Sequence, residues 1–270
     1  MDKNQIVELS EKALTVANKA SEKIMDVYLS EDFFQKAKGD GSPVTKADLL
    51  SHEIICKELS ELKLDIPILS EEDKDLSTAK EIRTFWLIDP LDGTKEFINR
   101  NDEFTVNIAL VEKGIPVLGI VSLPATKEVY IGAKGVGAFK EIKGIRTGIR
   151  TKTVNPHKAI VAISRSHQSK EDLDFLSIVE RRFNEVEVIE AGSSLKMCLV
   201  AEGLADIYCR RGPTYQWDIA SGHAVLVASG GALNKVQGEE IKYEFDSSKK
   251  NPEFYCVGDT SFNWDKLFQE

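Results

Sequence analysis

The sequence predicts a mixed fold in two parts, an α+β half over residues 1–150 and a smaller α/β half over residues 151–270. Three observations carry this. Two amphipathic helix patterns precede a meander of short strand patterns that runs to residue 141, and strand and helix patterns alternate from about residue 158. Between them lies a basic stretch, 140–157, punctuated by Gly144 and Gly148, which reads as the seam. At 270 residues the chain exceeds the commonest domain size, so two packed halves or one large layered fold both accommodate it.

The elements follow in order. Ile6, Leu9, Ala13, Val16, Ala17, Ala20, Ile24 and Val27 recur at three-to-four spacing and predict a helix over 4–29. Gly39-Asp40-Gly41-Ser42-Pro43 reads as a flexible loop, and Thr45 opens a second helix that reaches about Leu59. Ile66-Pro67-Ile68-Leu69 reads as an apolar turn at the end of a core strand, and 84–88 is strand-like. Strand patterns over 104–111, 117–123, 128–133 and 137–141 are separated by Lys-Gly, Pro and Gly punctuation. In the second half, strands are predicted over 159–164, 186–190 and 205–208, and helices over 170–182, 193–202 and 218–229.

Charged residues make up 29 % of the chain and the net charge is −9, so bare nucleic acid is repelled overall. Cys56, Cys198, Cys209 and Cys256 are scattered and form no C-x-x-C pair, which points to reduced packing cysteines rather than a zinc site or disulfide framework. The first residues, Met-Asp-Lys-Asn-Gln, lack an apolar signal core, and no run approaches the eighteen or so apolar residues of a membrane span. The reading is a cytoplasmic protein without integral membrane contact.

The chemistry is concentrated in residues 86–97, Trp-Leu-Ile-Asp-Pro-Leu-Asp-Gly-Thr-Lys-Glu-Phe. Asp89 and Asp92 stand three apart on what reads as a turn fixed by Pro90 and Gly93, with Cα atoms within roughly 7 Å. Both carboxylates can then face one cluster of hard cations. Ser70-Glu71-Glu72-Asp73 follows an apolar segment, and Trp217-Asp218 opens an apolar helix where Asp218 alone reads as an N-cap. Asp48, Glu71, Asp89, Asp92 and Asp218 all sit beside apolar or turn-forming sequence, which suits magnesium and an oxygen donor set. No histidine or cysteine cluster suggests zinc.

Together, Ser70-Glu71-Glu72, Asp89–Thr94 and Trp217-Asp218 resemble the signature of the lithium-sensitive, magnesium-dependent phosphomonoesterases related to inositol monophosphatase. The likeness runs from Ser42-Pro43-Val44-Thr45-Lys46-Ala47-Asp48 to Asn251-Pro252. It implies an αβαβα layered sandwich and two or three Mg2+ ions. By resemblance, Glu71, Asp89 and the Leu91 carbonyl hold one ion, and Asp89, Asp92 and Asp218 hold a second. Thr94 and Asp48 match the pair that orients and deprotonates the attacking water, with Glu71 beside them in the catalytic set.

Lys95-Glu96-Phe97 resembles the 3′(2′),5′-bisphosphate nucleotidase branch, whose substrate is 3′-phosphoadenosine 5′-phosphate. Ser164-Arg165-Ser166-His167, Gly192-Ser193-Ser194-Leu195-Lys196 and Tyr208-Cys209-Arg210-Arg211-Gly212-Pro213-Thr214 point the same way. The substrate contacts so implied are Gly93, Thr94, His167, Ser193, Ser194, Lys196, Arg210 and Asp218. A glycine–serine pair opening a helix offers N–H groups to an anion. Lys196 and Arg210, expected away from the metal motif, supply charge for the second phosphate. Cys209 and Arg211 depart from the family's usual residues and leave the division of labour between Arg210 and Arg211 open. Rival readings are a phosphatase of inositol phosphates or fructose 1,6-bisphosphate, and a non-catalytic nucleotide- and cation-binding protein on the same fold. A homodimer and peripheral contact with the inner face of the cell membrane stay open.

Overall fold

The computed structural model describes residues 1–30, 35–37, 43–62, 64–73, 78–79, 81–166, 170–236 and 238–268. Helix α1 (Lys3–Tyr28) starts at a capping box in which Asp2 and Gln5 satisfy each other's backbone N–H groups, and all eight stripe residues are buried. A short ribbon, β1 (Gln35–Ala37) with β2 (Pro43–Thr45), leads into α2 (Lys46–Glu61). Then follow β3 (Ile68–Ser70), β4 (Thr84–Asp92), the short helix α3 (Thr94–Ile98), β5 (Thr105–Glu112), β6 (Ile115–Leu123), β7 (Glu128–Ala133), β8 (Gly137–Ile142) and β9 (Ile145–Ile149). These strands form one seven-stranded sheet in chain order from β3 to β9, antiparallel except for the β3–β4 pair. The second half supplies β10 (Lys158–Ser164), α4 (Lys170–Arg182), β11 (Glu185–Ala191), α5 (Leu195–Ala201), β12 (Ile207–Arg210), α6 (Gln216–Ser229), β13 (Ala232–Lys235) and β14 (Phe254–Val257), closed by a 3-10 turn Trp264–Phe268.

Helices α1 and α2 cover one face of the large sheet, and α5 and α6 lie between the two sheets, with α4 outside the second. That is the αβαβα sandwich. Contact between α6 and the large sheet is backbone-close: a Cβ on Gly119 would lie 2.1 Å from the Ser221 carbonyl oxygen, and one on Gly132 2.3 Å from the Val225 Cα. Only glycine permits that approach. One buried cluster joins Phe85, Leu87 and Val121 of the first sheet to Met197, Ala220 and Cys256 of the second half, so the halves share a core. Among the described residues no helix is long and apolar enough to cross a membrane.

Several expectations need correction. The seam is shorter than 140–157, because residues 140–149 complete β8 and form β9, leaving 150–157 as the link. The second half is not a pure α/β layer: its sheet order is β11-β10-β12-β14-β13, and β14 and β13 join antiparallel. Those two strands have only four residues each, too few for an alternation to register. The loop assigned to 39–43 falls outside the described residues except for Pro43, which begins β2. The helix expected over 193–202 begins two residues later, at Leu195.

Candidate active site

The two aspartates of the Asp-Pro-Leu-Asp motif do not sit on a turn. Strand β4 continues through Asp92, and the register against β5 slips between Asp89, opposite Asn107, and Asp92, opposite Thr105. Three steps on β4 thus face two on β5, which defines a bulge at Pro90 and Leu91. Proline has no N–H to give the ladder and is tolerated in a sheet at such a point. In a regular strand, residues three apart face opposite sides. The extra residue returns Asp92 to the side of Asp89, so a local defect brings both carboxylates onto one face. Ser51 of α2 fixes the bulge by donating to the Pro90 carbonyl at 2.7 Å. Gly93 then takes φ 86° and lets α3 leave sharply.

Two helix starts aim acidic groups at this bulge. Asp48 is the third residue of α2 and accepts the Thr45 N–H at 2.7 Å and the Thr45 hydroxyl at 2.6 Å, both on Oδ2. Its Oδ1 accepts the Thr94 hydroxyl at 3.2 Å. A helix-capping carboxylate thus also holds the threonine of the metal motif. Asp218 is likewise the third residue of α6, not its N-cap, and its Oδ2 accepts the Tyr215 N–H at 2.7 Å. Glu71 follows β3, with its backbone N–H on the Ile88 carbonyl at 3.2 Å.

These carboxylates crowd one another. Burial pushes the Asp89 carboxyl far above its ordinary range, and the charges of Glu71, Asp92 and Asp218 push it further. Asp218 is raised by burial, then by Asp92 and Glu71. Asp92 is pushed up to about 7, mainly by burial and by Glu96 and Glu71, against the pull of the Lys196 ammonium and the Ser194 N–H. Among the described residues no three His, Cys, Asp or Glu side chains stand ready-made as a metal cage. The donor chemistry is all oxygen, from Glu71, Asp89, Asp92, Asp218 and the Leu91 carbonyl, and it fits a hard divalent ion.

A cleft of about 490 Å³ opens over this cluster, and Glu71, Asp92, Gly93, Thr94 and Asp218 line it together with Ser193, Ser194, Lys196, Tyr208 and Arg210. Lys196 does not stand away from the metal motif as expected. It is 4 % exposed, donates to the Ser193 carbonyl at 2.6 Å and the Ala191 carbonyl at 3.2 Å, and its charge acts directly on Asp92. Burial lowers its pKa to about 8. Arg210 lines the cleft while bonded to Asp172 at 3.2 Å, whereas Arg211 pairs with Glu253 at 3.1 Å and does not line it. The glycine–serine pair offers less than expected: Gly192 gives its N–H to Glu103, and Ser194, not Ser193, precedes the helix. Among the described residues the buried Ser193 hydroxyl has no hydrogen-bond partner. His167 falls outside the described residues.

Sequence reasoning missed Asn107 and Thr105, both fully buried on β5 opposite the two aspartates. Asn107 donates Nδ2 to Asp92 at 3.4 Å and accepts the Ser194 hydroxyl at 2.7 Å, and Thr105 lies 2.9 Å from the same hydroxyl. Two polar residues two apart in the otherwise apolar run Thr105-Val106-Asn107-Ile108-Ala109-Leu110 were the available signal.

The inositol monophosphatase family model matches residues 5–256. The 3′(2′),5′-bisphosphate nucleotidase CysQ of Salmonella typhimurium is 46 % identical over 249 residues, covering 90 % of this chain and 97 % of that protein. The crystal structure of CysQ from Bacteroides thetaiotaomicron, a bacterial member of the inositol monophosphatase family, superposes with a TM-score of 0.82 at 37 % identity, over 93 % of this chain and 97 % of that one. An IMPase/NADP phosphatase complexed with NADP and Ca2+ shares the fold, with a TM-score of 0.79 at 17 % identity, over 98 % of this chain and 95 % of that one.

Proposed function

The chain belongs to the inositol monophosphatase family of metal-dependent phosphoric monoester hydrolases, and on that premise we propose that it removes the 3′-phosphate of 3′-phosphoadenosine 5′-phosphate, giving AMP and phosphate. The observation that carries this reading is a single cleft whose lining brings Thr94 and the carboxylates together with Arg210 and the Ser193–Lys196 segment. A ribose bearing two phosphates suits such a lining, one phosphate over the carboxylates through cations and the other toward Arg210. Relatives named as bisphosphate nucleotidases support this choice over inositol phosphates and fructose 1,6-bisphosphate. The setting would be sulfur assimilation or nucleotide recycling in the cytoplasm.

Magnesium, two or three ions, is the proposed cofactor, held by Glu71, Asp89, the Leu91 carbonyl, Asp92 and Asp218. When bound it supplies charge neutralisation and Lewis acidity at the phosphoryl group. The chain's own residues do the rest. Thr94 spends its proton on Asp48, so its oxygen presents a lone pair that orients the attacking water. Asp48 is anchored through Oδ2 and keeps Oδ1 for that proton relay, taking the proton that passes from water through the Thr94 oxygen. Arg210 binds the second phosphate as a charged donor. Gly93, Asp218 and Ser193 line the same cleft and complete the substrate contacts, the Ser193 hydroxyl having no hydrogen-bond partner among the described residues.

The test is phosphate release from 3′-phosphoadenosine 5′-phosphate, inositol 1-phosphate and fructose 1,6-bisphosphate with magnesium. The nucleotide is expected to give the highest kcat/KM by at least tenfold. A preference for either sugar phosphate refutes the assignment, and release from none of the three favours a non-catalytic binder.

A further inference from the structure

We propose that Glu103 and Arg165 form a clasp between the two halves that positions the 190–196 segment, the end of β11 and the start of α5 with the turn between them, at the cleft and so sets substrate affinity without touching the substrate; this rests on reading the cleft as the phosphomonoesterase site. Glu103 lies just before β5 and Arg165 immediately after β10. The guanidinium grips both carboxylate oxygens, Nε to Oε2 at 2.7 Å and Nη2 to Oε1 at 2.9 Å, a bidentate pair. Oε2 also accepts the Gly192 N–H at 2.8 Å. Arg165 reaches the Glu190 carbonyl at 2.9 Å and the Glu190 carboxylate at 3.3 Å, and its backbone N–H reaches the Ala191 carbonyl at 3.2 Å. One ion pair thus holds Glu190 at the end of β11 and Gly192 just beyond it, while the Arg165 backbone extends the β10–β11 ladder to Ala191 between them.

The turn has little freedom to shift on that side, since a Cβ on Gly192 would lie 2.7 Å from the Glu103 carbonyl oxygen and 2.8 Å from Glu96 Cγ. It carries Ser193 at φ 43°, in the left-handed region that a side chain adopts at a cost. Such a residue persists where its surroundings over-determine it. The clasp supplies that constraint from outside while Lys196 supplies it from within. Arg165 stands in the Ser164–His167 block that resembles the nucleotidase branch, yet its fork is committed to Glu103 and Glu190. Its side chain is 41 % exposed, so the pair adds little to stability, and its consequence is geometric.

The experiment compares Arg165→Ala, Glu103→Ala and the double variant in the full chain, by steady-state hydrolysis of 3′-phosphoadenosine 5′-phosphate with magnesium and by hydrogen exchange of the 190–196 amides without substrate. Each single variant is expected to raise KM about five- to thirtyfold with kcat within about threefold. The double variant should be no worse than the worse single, because both residues belong to one device. Exchange at Gly192 should accelerate while the melting temperature moves by less than about 3 °C. Arg165→Lys, which keeps the charge and loses the fork, should fall between wild type and Arg165→Ala and serves if Glu103→Ala does not fold. An unchanged KM, additive effects, or accelerated exchange throughout the second half would overturn the clasp. If the wild type does not hydrolyse the nucleotide, the proposed substrate fails, and KM for whichever phosphomonoester it does hydrolyse tests the clasp. If it hydrolyses none, unchanged exchange at Gly192 in the variants overturns it.

Discussion

Replacing Thr94 by valine removes one hydroxyl and keeps the branched shape at the start of α3. The structure separates its two consequences. Asp48 keeps both Thr45 bonds on Oδ2, so the α2 cap survives, and what is lost is the 3.2 Å bond to Oδ1 with its weak 3.5 Å branch to the Leu91 carbonyl. A hydrogen bond to a carboxylate is worth about 1.5–3 kcal/mol net. For a chain of this size that corresponds to a melting-temperature fall of roughly 3–12 °C. The chemical step loses much more, because the water-orienting group and the route of the proton to Asp48 disappear together. Kcat should fall about a hundredfold to ten-thousandfold, with KM within about threefold. Single-turnover phosphate release and thermal unfolding, measured on the same preparation, read the two effects. A variant that keeps more than a tenth of the wild-type single-turnover rate, or one whose loss appears wholly in KM, would refute Thr94 as the group that orients the water.

Other outcomes follow from the same geometry. Asp89→Asn should abolish activity yet raise the melting temperature of the metal-free protein by a few degrees, since it removes a buried carboxyl whose ionised form burial and the charges of Glu71, Asp92 and Asp218 oppose; a fall in calorimetry would contradict the crowding of the cluster. Lys196→Met should lower kcat/KM for 3′-phosphoadenosine 5′-phosphate and for a small non-nucleotide phosphomonoester alike, by about tenfold or more, because the ammonium supports the turn and faces Asp92; a loss confined to the nucleotide would return Lys196 to direct phosphate binding. His223 is buried against Tyr243, and burial lowers its pKa to about 4 from 6.5, so the unfolded chain binds more protons between these values. Stability should therefore fall as pH drops from about 6.5 to about 4, by roughly 3 kcal/mol in all, and urea titrations of His223→Gln should show a flatter slope in that window; an unaltered slope would exclude His223 as its source.

Local physics made much of the molecule legible in its sequence. The apolar stripe of α1, the strand patterns of β5 to β8 and the 170–182 helix depend on periodicity within one element, and each was readable within a residue or two. The carboxylates were legible because acidic residues beside apolar sequence are rare and their neighbours matched a family signature. What the sequence could not show was which residues meet. Asp89 and Asp92 share a face because a bulge, pinned by Ser51 from α2, shifts the register against β5, and pairing register is a property of two strands. Lys196 lies beside Asp92 because α5 and α6 pack between the sheets, where Gly119 and Gly132 allow α6 to approach. Arg165 belongs to Glu103, 62 residues away in the chain. Periodicity determined the elements and local motifs marked the carboxylates, while burial and cross-sheet packing decided the partner of each charge, because electrostatic interaction depends on distance in space and on solvent exposure, neither of which is encoded in sequence separation.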